Sequence, residues 1–479
     1  MTDFLLDPFL TIDTDKQSNT NMNTVFRLLA LIGFGRIVPA QASRRGFVLA
    51  GGAVLLLSLR PALSGPALSS QEQALVTYID AHNTQGLAML ETVVNINSGT
   101  QNLDGVRQVG DIFRREFDAL GFKTQWVDGA SWNRAGHLIA EHPGPGPKIL
   151  LIGHLDTVFP KDSPFQKFRR IDENTATGPG IIDMKGGDVI MVQALKALDS
   201  AGLLQPMNIS VALMGDEEDP GSPISSARAA LKEAAKDAKA AIGFENGDNI
   251  PEHIIISRRG IMSWTLTVSS KGGHSGLVGS AEIGYGAIYE ASHMLDELRS
   301  HLLGEKYLTI NPGLFLGGTQ LEFPEAASKG SAFGKNNVVA ANAMVTGDLR
   351  ALSPQQFERA MEKMKKLVSR PLPKANATLD FSEGYPAMAP TDGNLKLLRL
   401  YDEASRDLGY GPVQATSPDK AGAADVSFVA GIVPMVIDSA GLKGHGEHSV
   451  DETANLNTLP EQTQRIAVLL ARLPQIASH

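Results

Sequence analysis

Ile149-Leu150-Leu151-Ile152-Gly153-His154-Leu155-Asp156-Thr157-Val158 is the stretch whose reading decides the fold. Its aliphatic run reads as a strand buried on both faces, because a half-exposed strand would alternate with polar residues. The strand delivers His154, and Asp156 two residues on, to its carboxyl end. Open α/β sheets gather ligand chemistry at such ends. An imidazole offers a nitrogen to a metal, and a nearby carboxylate can fix its tautomer. His-x-Asp alone is a weak signal, since a histidine near a strand end is more often structural.

Downstream segments of the same design strengthen it. Gly178-Pro179-Gly180-Ile181-Ile182-Asp183-Met184-Lys185-Gly186-Gly187 places one carboxylate among glycines that permit a tight turn. A turn aspartate capping the next helix explains Asp183 equally well. Ile209-Ser210-Val211-Ala212-Leu213-Met214 runs into Gly215-Asp216-Glu217-Glu218. Adjacent acids at a strand end repel one another, so a purely structural account is poor. One can bind a cation while its neighbour stays free to accept a proton. Ala240-Ala241-Ile242-Gly243-Phe244-Glu245 is another short strand ending in an acid, and Gly444-His445-Gly446-Glu447-His448-Ser449-Val450-Asp451-Glu452 follows the apolar run Val433 to Ile437. The inventory, two histidines and three carboxylates with one carboxylate to spare, suits two zinc ions sharing a carboxylate bridge. The chain has no cysteine, so thiolate sites, disulfides and thiol catalysis are excluded. It carries neither a His-Glu-x-x-His helix nor a Gly-x-Ser-x-Gly elbow, which removes the anchors of single-zinc proteases and serine hydrolases.

The order of these motifs resembles the aminoacylase/glutamate carboxypeptidase family of dinuclear zinc metallopeptidases, from about Gln71 to the C-terminus. The resemblance implies that Asp183 bridges two metals, that His154 and Glu245 hold one, and that Glu218 and His448 hold the other. Glu217 would be the general base and Asp156 would orient His154. His448 is preferred to His445 because His448-Ser449-Val450-Asp451-Glu452 aligns with the family's His-Ser/Thr-x-x-Glu. The implied activity is hydrolysis of an amide bond that releases a C-terminal amino acid from a small peptide or N-acyl amino acid with a free carboxylate. The cofactor would be two Zn2+ per subunit, with Co2+ or Mn2+ as substitutes. The rivals are an aminoacylase or N-acyl amino acid deacylase, and a non-catalytic binding protein on the same fold.

The 479 residues allow two or three domains, and 43% hydrophobic content suits a large core. A net charge of −9 supplies no basic face, so nucleic acid is not an expected partner. Ser43-Arg44-Arg45-Gly46-Phe47-Val48-Leu49 opens an apolar stretch to Leu59, followed by small residues to Ser69. That layout is a twin-arginine signal peptide, which predicts a periplasmic protein; the apolar run is too short for a stable membrane span. Residues 1–69 are therefore an extension and signal, with Met22 as an alternative start.

Beyond them, strand-like and helix-like patterns alternate. Helices are expected over Gln71–Asn95, Asp104–Leu120, Asp188–Ala201 and Ser225–Ala238. The fold class is α/β, a mostly parallel sheet with helices on both faces. After Arg258-Arg259-Gly260 the pattern changes: Met262–Ser269 alternates apolar and polar residues, and helices at Gly284–Leu302 and Ser353–Ser369 flank a strand at Asn342–Arg350. A strand at Ala377–Glu383 ends this α+β unit, and the helix Asn394–Leu408 resumes the first. The organisation is a catalytic domain of 70–261 and 387–479 interrupted by an inserted domain, 262–386, placed where the family has its lid and dimerisation domain. By resemblance, His274 in Lys271-Gly272-Gly273-His274-Ser275-Gly276 would reach the active site of a homodimer's other subunit. Asn337 would touch substrate, and Arg350 would hold its carboxylate through paired hydrogen bonds. Ala421-Gly422-Ala423-Ala424-Asp425 departs from the family's Gly-Gly-Thr-Asp at a further substrate contact.

Overall fold

The computed structural model describes residues 68–324 and 329–476. The expected signal peptide lies outside the described residues, apart from its last two positions. The helices are α1 (Ser70–Val94), α2 (Leu103–Ala119), α3 (Gly186–Ser200), α4 (Ile224–Ala227), α5 (Ala229–Ala234), α6 (Ala287–Leu302), α7 (Pro354–Val368), α8 (Asp392–Asp407) and α9 (Thr458–Ile476). The two main sheets are built from β1 (Lys123–Asp128), β2 (Gly136–His142), β3 (Lys148–His154), β4 (Asn208–Met214), β5 (Ala240–Gly243), β6 (Gly260–Ser270), β7 (Thr309–Gly318), β8 (Asn342–Ala351), β9 (Ala375–Phe381) and β10 (Val436–Ile437).

The larger sheet has the order β1-β2-β4-β3-β5-β10. β4, β3, β5 and β10 run parallel, while β1 and β2 add an antiparallel edge. Alternate residues of β3 feed opposite cores. Ile149 and Leu151 pack with α1, α2, α3 and α9, whereas Leu150 and Ile152 pack with α5 and the 425–429 turn. Both faces are covered, which is why these strands read as unbroken apolar runs. α1 starts on a capping box: Ser69 Oγ accepts from the Glu72 amide at 3.2 Å, and the Ser69 amide donates to Glu72 Oε2 at 2.7 Å.

The smaller sheet, β7-β8-β6-β9, is antiparallel throughout. Trp264, Leu266 and Val268 of β6 alternate inward against α6 and α7, giving this body its own core.

Several expectations shift. The single helix over Ser225–Ala238 is two short ones, α4 and α5, broken at Arg228. Its guanidinium is drawn into the core by Asp216 and Asp425, an attraction that periodicity does not register. The run Val433–Ile437 pairs only at Val436 and Ile437, because Pro434 has no amide to donate and the Val433 amide is used in a turn to the Val429 carbonyl. Between α6 and α7 stand two long strands rather than one. β7 was hidden by Pro312 and its glycines, which an edge strand tolerates where the register shifts between Pro312 and Leu314.

Candidate metal centre

Parallel strands point their carboxyl ends the same way, and here four such ends carry polar groups. β3 ends on His154, β4 leads to Asp216-Glu217-Glu218, β5 leads to Phe244-Glu245, and β10 leads to Asp438. Asp183 arrives from a turn, Ile181–Lys185, that precedes α3. Two glycines make that turn possible. Gly180 has φ +70°, and a Cβ there would lie 2.4 Å from Thr157 Cγ2. A Cβ on Gly187 would lie 2.1 Å from the Phe244 carbonyl oxygen, so only glycine lets the start of α3 press against the end of β5.

Asp183 is the centre of the cluster. One of its oxygens, Oδ1, is 3.1 Å from His154 Nε2, and the other, Oδ2, is 2.9 Å from His448 Nε2. It does not cap α3 with its side chain. His154 Nε2 also lies 3.6 Å from Glu245 Oε1, and His448 Nε2 lies 3.1 Å from Glu218 Oε2. Ligand-type atoms of His154, Asp183 and Glu218 fall within 4.8 Å of one another, as do those of His154, Glu217 and Glu245. His445 is exposed in a short ladder with Thr453, whereas His448 faces Asp183. His448 holds a left-handed backbone, φ +61°, the sort of local strain that packed functional sites retain.

Asp156 underlies the cluster. Its carboxylate is 3.4 Å from His154 Nδ1 and accepts from the amides of Glu217 at 3.0 Å and Glu218 at 3.1 Å and from Thr100 Oγ1 at 2.6 Å. The Asp156 main-chain carbonyl, 3.1 Å from His154 Nδ1, fixes the ring together with the carboxylate, and the carboxylate also holds the loop carrying the two glutamates.

The electrostatics favour a cation. Burial works against a charged His154, yet Glu245, Asp156 and Asp183 together raise its pKa well above the ordinary value. Hydrogen bonds that His448 donates to Asp183 and Glu218 lift it to about 11. Burial and the neighbouring Asp183 push Glu218 up to about 7, and burial with Glu245 pushes Glu217 well up. Burial also raises Glu245. Asp183 moves the other way: burial opposes its ionisation, but two imidazoles outweigh it, whereas Glu218 has one. Carboxylates that resist ionising together gain from a dication between them. Glu218 Oε1 is buried with no hydrogen-bond partner, an orphan that a metal would satisfy. A nitrogen and oxygen donor set without thiolate fits zinc in a reactive rather than a structural site. The His448 side chain is 56% exposed, so the cluster opens to solvent on that side, while His154 at 1% closes the other.

Three candidates lie elsewhere. His274 and Asn337 are exposed neighbours on the ladder of Gly273–His274 with Val338–Val339, where the Ser275 amide donates to the Asn337 carbonyl at 3.0 Å. His274 Nδ1 accepts from the Gly276 amide at 3.1 Å. Arg350 Nε pairs with Asp348 Oδ2 two residues back on β8 at 3.0 Å. Among the described residues, no hydrogen bond or ion pair joins these three side chains to the cluster.

Supporting residues escaped the sequence reading. Glu452 accepts from the amides of Gly180 at 2.9 Å, Ile182 at 2.9 Å and Asp183 at 3.3 Å, and so holds the turn that presents Asp183. Its position in His-Ser-Val-Asp-Glu was the available signal. Asp438 accepts from the Glu245 amide at 3.3 Å and pairs with Arg258 at 2.7 Å. Asp216, the first of the acidic run, is no ligand candidate: it pairs with buried Arg228 at 2.6 Å. Spacing carries no trace of either pair.

A family model described as peptidase family M20/M25/M40 matches residues 150–472. Carboxypeptidase G2 from Pseudomonas sp. (strain RS-16) is 28% identical over 391 residues, covering 80% of this chain and 88% of that protein. Succinyl-diaminopimelate desuccinylase from Acidiphilium cryptum (strain JF-5) is 26% identical over 376 residues, 76% of this chain and 91% of that protein. Among solved structures, an aminopeptidase from Bacillus cereus ATCC 10987 superposes with a TM-score of 0.65 at 18% identity, over 82% of this chain and 98% of that one. A dinuclear metal-binding peptidase of the M20 family from Bacillus subtilis gives 0.59 at 15%, over 83% and 99%. At such identities these structures share the fold.

Proposed function

The chain belongs to peptidase family M20/M25/M40, and from that premise we propose that it is a zinc-dependent exopeptidase that releases a C-terminal amino acid from small peptides or N-acyl amino acids. The observation that supports this most is Asp183, with one carboxylate oxygen toward His154 and the other toward His448. On this reading His154, Asp183 and Glu245 would hold one zinc, and Asp183, Glu218 and His448 the second; Co2+ or Mn2+ would suit the same donors. When bound, the metals supply Lewis-acid polarisation of the scissile carbonyl and lower the pKa of the attacking water. Asp156 holds the orientation of His154. Glu217 receives the water's proton and returns it to the leaving amine nitrogen; burial and the nearby Glu245 raise its affinity for that proton. Arg350 would clasp the substrate's free carboxylate and Asn337 would touch substrate.

The name of the carboxypeptidase relative favours release of a C-terminal residue, and that of the desuccinylase favours N-acyl deacylation as the second reading. A panel of dipeptides and N-acyl amino acids separates the two. Chelation should abolish turnover and lower Tm, because a ligand that binds only the folded state stabilises it, and Zn2+ should restore both. A zinc-loaded protein inert across the panel would turn the reading to a non-catalytic binding protein.

We also propose a homodimer. β7 is an edge strand, and Ile288 and Tyr289 on α6 with Phe315 on β7 are exposed apolar residues that a twin would cover. His274 would then act in the partner's site. A single-chain mass by light scattering would end this proposal. Among the described residues no helix is long and apolar enough to cross a membrane. The Arg44-Arg45 pair and the apolar run after it support export to the periplasm. Arg44→Lys with Arg45→Lys should trap the chain in the cytoplasm; unchanged export would refute the twin-arginine route.

A further inference from the structure

The chain leaves the six-stranded body near Arg258 and returns near Met388, and these two linkers are in contact. The Arg258 amide donates to the Met388 carbonyl at 2.9 Å, the Met388 amide to Arg258 at 3.0 Å, and the Ile261 amide to Tyr385 at 2.9 Å. Glycines permit the approach. A Cβ on Gly260 would lie 2.6 Å from Tyr385 O and Ala387 N, and one on Gly384 would lie 2.0 Å from Ile261 O. The linkers therefore form one ribbon carrying the inserted segment.

That ribbon touches the cluster at two places. Arg258 pairs with Asp438 Oδ2 at 2.7 Å, and Asp438 Oδ1 accepts from the Glu245 amide at 3.3 Å. On the other linker, the Tyr385 hydroxyl donates to the Glu217 carbonyl at 2.8 Å and accepts from Arg228 Nη2 at 3.0 Å. Arg228 cannot follow a moving partner, because it is buried and held by Asp216 and Asp425, each at 2.6 Å. The ribbon thus reaches Glu217 and Glu245, which form one of the two groups of ligand-type residues around His154. Of the two contacts, Arg258 makes a buried ion pair, whereas the link from Tyr385 to Glu217 is a neutral hydrogen bond to a main-chain oxygen, with Arg228 donating to the same hydroxyl from behind. The second is the easier to make and break.

We propose that Tyr385 is a positioning residue that ties the linker ribbon to the main chain of Glu217, so that the orientation of the inserted segment sets the aim of that carboxylate. The proposal rests on the reading of Glu217 as general base. Burial raises the phenol's pKa well above its usual value, which keeps the donor proton in place.

Tyr385→Phe tests it, since it removes the hydroxyl and keeps the ring against Phe428. We expect kcat to fall about 3- to 10-fold, the worth of the hydrogen bond to Glu217, with KM changed less than about twofold and bound metal unchanged. In the metal-free protein, hydrogen exchange at residues 216–219 should quicken, a readout independent of turnover. In a Glu217→Gln background, adding Tyr385→Phe should change kcat by less than about twofold, because a residue acting through Glu217 has nothing left to position. An equal loss in both backgrounds, or unchanged exchange at 216–219, overturns the proposal. If Glu217→Gln alone keeps normal turnover, the general-base reading falls instead, and the exchange measurement still decides whether the tie exists.

Discussion

The residues gathered at the carboxyl edge of the parallel strands and those carried by the inserted segment differ in what surrounds them. His154, Asp156, Asp183, Glu218, Glu245 and His448 each have a polar partner within the cluster, and a further layer of Glu452, Asp438 and Arg228 holds their loops. His274, Asn337 and Arg350 sit on or beside exposed or half-exposed strands; the side chains of His274 and Arg350 have partners only a few residues away, and that of Asn337 has none among the described residues. The difference teaches that the edge is organised before any substrate arrives. Its cost, several carboxylates held close together and partly out of solvent, is opposed by the ion pairs buried behind it. The inserted residues have little to hold them in place, so any function they have must come from what they meet.

The largest expected effect lies in that supporting layer. Arg228→Met would leave Asp216 and Asp425 buried without their cation, and breaking a buried pair in this way costs about 3–5 kcal/mol. His274→Ala, on an exposed ladder, should stay within about 0.5 kcal/mol of wild type. Urea unfolding measures both, and two similar small losses would break the contrast between the regions.

Next in size is Glu217→Gln, expected to lower kcat by about 10²-fold or more with metal content retained. Mixing this protein with His274→Ala connects the regions. If His274 acts in the other subunit's site, a mixed dimer carries one doubly damaged site and one intact site, and activity partly returns. No recovery, in subunits shown to exchange, would place His274 outside the partner's chemistry.

The same contrast governs what was legible in the sequence. β3, β4 and β5 declared themselves because each apolar run stops abruptly at a ligand-type residue, and parallel strands then bring those stops together. His448 was separable from His445 through the residues that follow it. Arg228 was not legible: its partners lie 12 and 197 positions away, and its burial breaks the helix that periodicity predicts. Tyr385 was invisible for the same reason, its hydroxyl meeting a carbonyl 168 residues distant. In the inserted segment β7 was missed, since a proline and glycines on an edge strand look like a turn. Local pattern reports burial and period; it is silent on which distant charge fills a buried position.

The smallest expected effect is the most discriminating for the inserted segment. Arg350 and Asp348 lie two apart on β8 and share its less buried face, with the arginine side chain 35% exposed. A pair that exposed is worth about 0–1 kcal/mol, so Arg350→Ala should barely move stability. If Arg350 also receives a substrate carboxylate, its removal leaves that carboxylate without its charged donors, and kcat/KM should fall about 10-fold or more for substrates with a free α-carboxylate. The matching C-terminal amides carry no such charge, so their kcat/KM should change little. Asp348 sharpens the test, because it competes for the same guanidinium: Asp348→Asn should leave carboxylate substrates no worse and should not mimic Arg350→Ala. Equal losses on acid and amide substrates would mean that Arg350 serves the strand and not the substrate, and the inserted segment would then keep no substrate contact of this kind.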